Sequence, residues 1–214
     1  MKIICIPVGA IEANCYLVTA GDAALVIDPG DRTPALEQAI LPLASKIRYI
    51  LLTHRHADHL MAAAWLKDLT HAETVIHPDD AAGLSDPSVS LSAAMQVFSH
   101  TQSPIEADRL VGEGDTLACG DMQIAVLHTP GHSAGGVCYK INHGGQTALF
   151  TGDTLFAGAV GRTDLPSGNY AALLRSVARL AALPGDCPVY PGHGPATTLE
   201  RERRQNPYMR ERGL

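Results

Sequence analysis

The sequence has little of the features that mark special classes of protein. Aromatic residues make up only 5 % of the 214 positions, and charged residues make up 18 %. No apolar run approaches the roughly 18 consecutive residues of a membrane span, and no repeat or low-complexity stretch stands out. Because 46 % of the residues are hydrophobic, a chain of this length can bury a core of its own. These absences exclude a disordered chain, a collagen-like repeat and a membrane-spanning protein.

Cysteine is also scarce, and its placement has no pairing pattern. The five cysteines are scattered and form no C-x-x-C pair: Cys5, Cys15, Cys119, Cys138 and Cys187. An odd, scattered set excludes a disulfide scaffold and a thiolate metal site, so we expect most of them to be small buried apolar residues. The first residues lack a signal-peptide cleavage pattern, and we expect a cytoplasmic protein.

An excess of positive charge is absent as well. Sixteen Lys and Arg stand against 22 Asp and Glu, which gives a formal net charge of −6. A nucleic-acid partner requires a basic face to neutralise phosphates, so neither a nucleic acid nor a membrane is an expected partner. The sequence instead favours a small-molecule substrate.

Strand-like runs dominate two stretches of the chain, and helical patterns flank both. The run 48–53 is almost wholly apolar, which predicts a strand buried on both faces. Helical patterns cover 33–44, 58–69 and 170–180, whereas 83–108 has weak periodicity and is interpreted as a loop region that could include a short helix. Two sheets with helices outside satisfy this layering, which predicts an α/β fold in a single domain over residues 1–214.

A group of histidines follows the apolar run 48–53. The segment reads Thr53-His54-Arg55-His56-Ala57-Asp58-His59. In extended backbone, residues two apart point the same way, so His54 and His56 can converge on one ion. Asp58 and His59 fall at the start of the next predicted helix, displaced toward a second position. Neutral imidazole and carboxylate are ligands that zinc prefers, and iron or manganese also accept them. The segment therefore predicts metal binding.

Three later residues repeat this placement. His132, Asp153 and His193 each lie in a glycine-bearing loop just after a predicted strand. Polar loops gathered at one edge of a sheet scaffold are where binding sites are usually built. Together these residues supply further ligands for the site.

With these residues in place, the chain resembles the metallo-β-lactamase superfamily over essentially its whole length. The resemblance implies an αββα sandwich, in which two mixed sheets pack face to face with helices on both outer faces. It also implies two divalent metal ions between the sheets, with zinc expected first and iron or manganese as alternatives. Carried over by motif, the first metal is held by His54, His56 and His132, the second by Asp58, His59 and His193, and Asp153 bridges them.

Three phrases narrow the resemblance to the short glyoxalase II-like hydrolases, the hydroxyacylglutathione hydrolase branch. They are Gly152-Asp153-Thr154-Leu155-Phe156, Gly161-Arg162-Thr163-Asp164-Leu165 and Pro191-Gly192-His193-Gly194-Pro195-Ala196-Thr197-Thr198. This branch implies cleavage of a thioester of the S-lactoylglutathione type by a metal-bound hydroxide. Asp58 is the expected catalytic residue, which orients the hydroxide or accepts its proton.

Two features of the expected substrate follow from chemistry. A thiol has a pKa of about 8.5 and leaves as thiolate without a strong acid, which favours a thioester over an amide or a β-lactam. Arg162 is a candidate anchor for an acidic substrate, and an ion pair with Asp164 is its equal alternative.

Glyoxalase II enzymes carry an additional C-terminal helical domain that contributes to glutathione binding, whereas this chain ends soon after a helix that opens at Thr197-Thr198. The sequence therefore does not assign the thiol that carries the acyl group.

Two other functions remain as alternatives. The phrase His56-Ala57-Asp58-His59 also resembles the persulfide dioxygenases of the same superfamily, which use one iron. Those enzymes typically have Phe-Gln where this chain has Leu165-Pro166, which favours the hydrolase. A non-catalytic module with a structural zinc is the remote alternative, because a closed structural site needs four ligands rather than seven mixed ones.

Overall fold

The structure is a computed structural model that describes residues 1–95, 97–98 and 101–210. Its strands are β1 Lys2–Val8, β2 Ala13–Ala20, β3 Ala23–Ile27, β4 Ile47–Leu51, β5 Glu73–Ile76, β6 Arg109–Leu110, β7 Thr116–Cys119, β8 Met122–His128, β9 Val137–His143, β10 Gln146–Gly152, β11 Leu155–Phe156, β12 Ala159–Val160, β13 Pro188–Pro191 and β14 Thr197–Thr198. Its helices are α1 Pro34–Ile40, α2 Ala57–Leu60, α3 Ala63–Thr70, α4 Tyr170–Ala181, α5 Leu199–Gln205 and α6 Pro207–Arg210, with 3₁₀ segments at Leu41–Lys46 and Pro78–Leu84.

Two six-stranded mixed sheets form the body of the protein. The first has the order β1-β2-β3-β4-β5-β6, antiparallel from β1 to β3 and parallel from β3 to β6. The second has the order β14-β13-β10-β9-β8-β7, in which only β13 and β10 pair in parallel. A separate two-stranded ribbon joins β11 to β12.

The hydrophobic core has three layers, which places the helices on the outside. Between the sheets, the inner faces meet in one cluster that contains Tyr16 and Leu25 of the first sheet and Tyr139 and Phe150 of the second. The outer face of the first sheet packs against α1 and α3. The outer face of the second packs against α4 and α5 through residues such as Leu180. The αββα sandwich expected from the sequence is confirmed.

Two of the sequence-predicted helices are interrupted. The helix predicted over 33–44 ends at Ile40 and continues as a 3₁₀ segment, because Pro42 lacks the N–H that an α-helical bond requires. The helix predicted over 58–69 is divided into α2 and α3. At the break, the N–H of Ala62 donates to the carbonyl of Pro29, at 2.9 Å. The break orients the short helix α2 independently of α3.

The cysteines and the apolar segments agree with the sequence analysis. All five cysteines are free thiols, and four of them are buried. Among the described residues, no helix combines the length and the apolar character that a membrane crossing requires.

Candidate metal centre

The predicted ligands gather at one edge of the sandwich, where strands of both sheets end. Backbone leaving a strand end is free of the ladder, so its side chains can turn toward the space between the sheets. The ligands follow these strands: His54 and His56 follow β4, with Asp58 and His59 in the first turn of α2, and His132, Asp153 and His193 follow β8, β10 and β13.

Three imidazoles form a first cluster. The ring centroids of His54, His56 and His132 lie 4.6–4.8 Å apart, and each pair meets edge to face. Nδ1 of His56 is 2.8 Å from Nε2 of His132, although these residues are 76 positions apart in the chain. All three side chains are buried. Their ring nitrogens therefore face one common point.

A carboxylate and two imidazoles form a second cluster. Oδ2 of Asp58 lies 3.1 Å from Nε2 of His193 and 3.4 Å from Nε2 of His59. His59 is fully buried, whereas the side chain of His193 is 29 % exposed. The second cluster thus opens toward solvent on the His193 side.

Asp153 lies between the two clusters. Its Oδ1 is 3.5 Å from Nε2 of His59, and its Oδ2 is 3.4 Å from Nε2 of His132. The same Oδ2 is 3.7 Å from Nε2 of His193. One carboxylate therefore faces both groups, which is the placement expected of a ligand shared by two cations.

Several of these atoms are buried without a hydrogen-bond partner. Among the described residues they include Nε2 of His54, Nε2 of His59 and Oδ1 of Asp153. An unpaired buried polar group costs about 1–3 kcal/mol, and each such group in a folded protein requires an explanation. The donors are imidazole and carboxylate, so divalent cations fit this side-chain set chemically.

Asp28 orients two of the histidines, and the sequence analysis missed it. Its Oδ2 is 3.0 Å from Nδ1 of His59 and accepts a 2.6 Å hydrogen bond from Oγ1 of Thr53. Because the Thr53 hydroxyl gives its proton to Asp28, its oxygen accepts from Nδ1 of His54, at 3.1 Å. These contacts turn Nε2 of both rings toward the clusters, where neither nitrogen has a hydrogen-bond partner. The available signal was an Asp at the end of an apolar run, directly before Pro29-Gly30.

The carbonyl of Arg162 orients the third imidazole of the first cluster. It lies 2.8 Å from Nδ1 of His132, which leaves Nε2 of that ring for a ligand. The loop that carries Arg162 is thereby joined to the first cluster through its backbone.

Two histidines of the first cluster, His54 and His56, are held neutral. Burial, together with the neighbouring His59, His56 and His132, sets the pKa of His54 well below its usual value. Burial and the nearby His132 lower the pKa of His56 to about 3. Neutral imidazole is the form that binds a metal, so these two rings are ready to do so at pH 7.

The second cluster has an excess of negative charge. Burial alone would raise the pKa of Asp58, but His59 and His193 hold it well below its usual range. Burial would lower the pKa of His59, but the carboxylates of Asp58, Asp153 and Asp28 raise it well above normal. Three carboxylates thus surround one buried imidazole, and a divalent cation held there would offset their charge.

Two supporting features hold the ligand loops in place. Asp80 is fully buried and accepts hydrogen bonds from Arg55 N, Ser133 Oγ and Gly135 N, which joins the His54–His59 segment to the loop of His132. A Cβ at Gly192 would lie 2.2 Å from Oδ1 of Asp153, so only glycine permits this approach. No pattern in the sequence pointed to Asp80.

The other histidines that the structure describes lie outside both clusters. His77 and His128 stack at 4.2 Å with an interplanar angle of 12°, His71 caps α3 in the left-handed region, and His143 contacts the N-terminal amine. His100 is outside the described residues. Parallel rings such as His77 and His128 direct their in-plane lone pairs side by side rather than at one point, so this pair is a poor chelate.

Arg162, the candidate substrate anchor, borders a cavity of about 360 Å³ that reaches both clusters. Its guanidinium makes a bidentate ion pair with Asp164, with Nε–Oδ1 and Nη2–Oδ2 distances of 2.7 Å. Arg162 therefore lines the cavity, as a substrate anchor would, and it also forms the ion pair with Asp164 that was its alternative.

Comparison with known families and proteins agrees with this geometry. The family model described as the Metallo-beta-lactamase superfamily matches residues 8–193. The chain is 37 % identical over 215 residues to the hydroxyacylglutathione hydrolase GloC of Haemophilus influenzae, and the match covers 98 % of each chain.

Two solved structures are similar over nearly their full length. The BLEG-1 B3 metallo-beta-lactamase superposes with a TM-score of 0.88 at 34 % identity, covering 97 % of this chain and 99 % of that one. TTHA1623, solved in a di-iron-bound form, gives a TM-score of 0.83 at 37 % identity, covering 96 % and 99 %. The fold and the His/Asp clusters together imply divalent metals, and the second structure shows that the fold holds iron.

Proposed function

This chain belongs to the metallo-beta-lactamase superfamily, and from that premise we propose that it is a metal-dependent hydrolase that cleaves a thioester of the hydroxyacylglutathione type. We propose two divalent ions, zinc in the first place, held by the two clusters. His54, His56 and His132 would hold one ion, Asp58, His59 and His193 would hold the other, and Asp153 would be shared between them.

The position of Asp153 carries this proposal. Its two oxygens lie 3.4–3.7 Å from imidazole nitrogens of both clusters, so a single carboxylate couples the two sites. When bound, two such ions supply a Lewis acid for a carbonyl oxygen and lower the pKa of water toward 7.

The side chains around the cavity define the chemistry of the substrate. In the proposed step, a water oxygen bonds to the acyl carbon, the carbon–sulfur bond breaks, and its electron pair leaves on sulfur. The Asp58 carboxylate, kept ionised by its low pKa, orients that water and accepts its proton at Oδ2. The acid product loses its remaining proton to solvent and leaves as a carboxylate, and the thiolate takes up the proton held at Oδ2 and leaves as a thiol.

The cavity has few groups that could protonate a leaving group. Among the described residues that line it, the titratable ones are Arg162 and five of the proposed ligands. An arginine does not lose its proton in proteins. A thiol departs as thiolate without an acid, whereas an amide requires protonation, so this lining supports a thioester. The 37 % identity to GloC supports the hydroxyacylglutathione type.

The test is steady-state hydrolysis of S-lactoylglutathione beside other acyl thioesters, with bound metal quantified in the same preparation. We expect about two equivalents of metal, activity that is lost on chelation, and activity restored by a divalent ion. A folded protein with its metal that cleaves no thioester would overturn the proposal. Bound iron with oxygen uptake on glutathione persulfide would instead establish the dioxygenase alternative.

A further inference from the structure

Part of the lining of the cavity that reaches both clusters is apolar. We call this part the apolar wall, and it consists of Ile11, Leu91, Met95, Phe156 and Leu165. Each is at least partly exposed, and the ring of Phe156 lies 6.2 Å from that of His193. Half-exposed apolar side chains beside a polar centre are typical of a ligand-binding surface.

Leu91 holds a backbone conformation that favours this wall. Its φ is +67°, a left-handed value that is uncommon for a bulky side chain. Such conformations cost of order 1–3 kcal/mol and concentrate at functional sites. The Leu91 carbonyl accepts from the N–H of Ala94 and of Met95, so the unusual residue begins the turn that carries Met95.

The segment that carries Leu91 and Met95 is tied to the metal-binding motif. The carbonyl of the preceding residue, Ser90, accepts a 2.9 Å hydrogen bond from the N–H of Ala57. Ala57 lies between His56 and Asp58 in the sequence. The fully buried Ser90 also donates through Oγ to Gln102, at 2.5 Å. This part of the wall therefore has a fixed distance from the proposed ligands.

The cationic group at the rim is already neutralised. Arg162 forms its bidentate pair with Asp164, and the arginine holds the pKa of that carboxyl at about 2. The carboxylate is thus ionised at every pH of interest. A carboxylate at the far end of an acyl chain would have to displace Asp164 to pair with Arg162, so this rim favours an uncharged acyl chain.

We propose that this cavity binds an uncharged alkyl chain on the acyl side of the thioester, and that Leu91 and Met95 set the chain length it accepts. The inference rests on the proposed thioester hydrolysis and names its substrate class. A cavity of about 360 Å³ lies within the range of small-ligand pockets. A lactoyl group would leave much of it to water, so a longer acyl chain fills it better.

A second cavity indicates where the thiol arm lies. It has a volume of about 300 Å³, meets the first at Ile11 and His193, and includes the polar residues Glu12 and Asn14. A substrate that spans both cavities would place its scissile bond near His193. The polar thiol carrier then fits the side of Glu12, and the acyl chain fits the apolar wall.

The first experiment compares two series of thioesters on the holoenzyme. One lengthens the acyl group from acetyl to hexanoyl on a constant thiol, and the other lengthens the alkyl group of the thiol on a constant acetyl. We expect kcat/KM to rise up to about fourfold per added methylene in the acyl series, equivalent to ~0.8 kcal/mol, and to stay flat in the thiol series. A flat acyl series, or a rise only with the thiol, would refute the assignment.

Variants of the wall connect the preference to named side chains. Met95→Ala and Leu91→Gly should each reduce the hexanoyl-to-acetyl ratio of kcat/KM about tenfold. Leu41→Ala is the matched control, since Leu41 is 57 % exposed and does not line either cavity. An unchanged ratio in both wall variants would contradict the proposal.

A binding measurement separates this inference from the proposed function. Calorimetry with carboxylates from acetate to octanoate requires no turnover, and burial of each further methylene should tighten Kd and make ΔCp more negative. If thioesters are hydrolysed but Kd does not depend on chain length, the acyl-binding cavity is refuted and the proposed hydrolase stands. If Kd decreases with chain length but no thioester is hydrolysed, the proposed hydrolase is refuted and an alkyl-binding cavity stands.

Discussion

The proposed ligands and the apolar wall face one cavity, but they are held in different ways. His59 is fully buried, and a buried carboxylate orients it, whereas Met95 and Leu165 are half-buried and lie in loops. Among the proposed ligands, a change of one atom leaves a buried polar group unpaired. In the apolar wall, a change of side chain alters the contact area with the substrate. We infer that chemistry is fixed by the first region and that substrate choice can vary through the second.

The largest expected effect comes from the carboxylate between the clusters. Asp153→Ala should lower kcat/KM at least about a thousandfold and reduce bound metal to one equivalent or less, because one side chain faces both sites. Metal analysis and steady-state kinetics on the same preparation measure both. The control is Asp121→Ala, an exposed turn residue. A variant that retained both metals and activity would refute the bridging assignment.

A single methyl group placed behind that carboxylate should have a similar but smaller effect. In Gly192→Ala, the new Cβ would lie 2.2 Å from Oδ1 of Asp153 and 2.7 Å from Cε1 of His59, so both must move. We expect about a hundredfold loss of kcat/KM, as for a displacement of about 1 Å. Gly112→Ala is the control, because its Cβ would meet only His77, at 3.9 Å. Equal activities of the two variants would show that activity tolerates displacement of Asp153 and His59.

Substitution of Asp28 tests whether metal affinity depends on the orientation of the proposed ligands and not only on their presence. Asp28→Asn keeps the size of the side chain but weakens its contacts with His59 and Thr53, and we expect a 10- to 100-fold loss of metal affinity. Competition with a chromophoric chelator measures that affinity, and Asp22→Asn, on the surface, serves as control. If metal affinity were unchanged, Asp28 would have only a structural role.

The smallest expected effect concerns the stacked pair of His77 and His128, which consists of the same residue type as most of the proposed ligands. Burial, followed by the charge on His128, lowers the pKa of His77, although Asp79 and Asp80 oppose this. Its unfolded pKa is about 6.5, so below that pH the unfolded state binds more protons. The contribution to stability is complete above pH 6.5 and is lost as the pH falls through the lower folded-state value.

His77→Gln should therefore lose less stability than the wild type between pH 7.5 and pH 5.5. Urea unfolding of both proteins at the two pH values gives this double difference, which cancels the shared contribution of His54 and His56. Metal content should not change. An identical pH dependence would show that the pair contributes nothing, and a loss of metal would make it a ligand group after all.

Features that depend on short distances along the chain were predicted best. Alternation in a strand end was enough to group His54 with His56, and apolar runs were enough for the two sheets. Asp28 was not identified, because its role depends on Thr53 and His59, 25 and 31 positions away. The part that Leu91 and Met95 play within 83–108 was not predicted either, since these residues have no periodicity and their neighbours are set by packing.

The amino-acid sequence by itself determined the family, the αββα layering and the candidate ligands, because these depend on motif spacing and apolar periodicity. Only the tertiary structure decided which atoms meet: the two oxygens of Asp153 between the clusters, the Asp28 carboxylate behind His59, and the wall of Leu91 and Met95 beside them. The reason is geometric. The ligands follow strands of two different sheets, so the way the sheets pack on each other sets the distances between them.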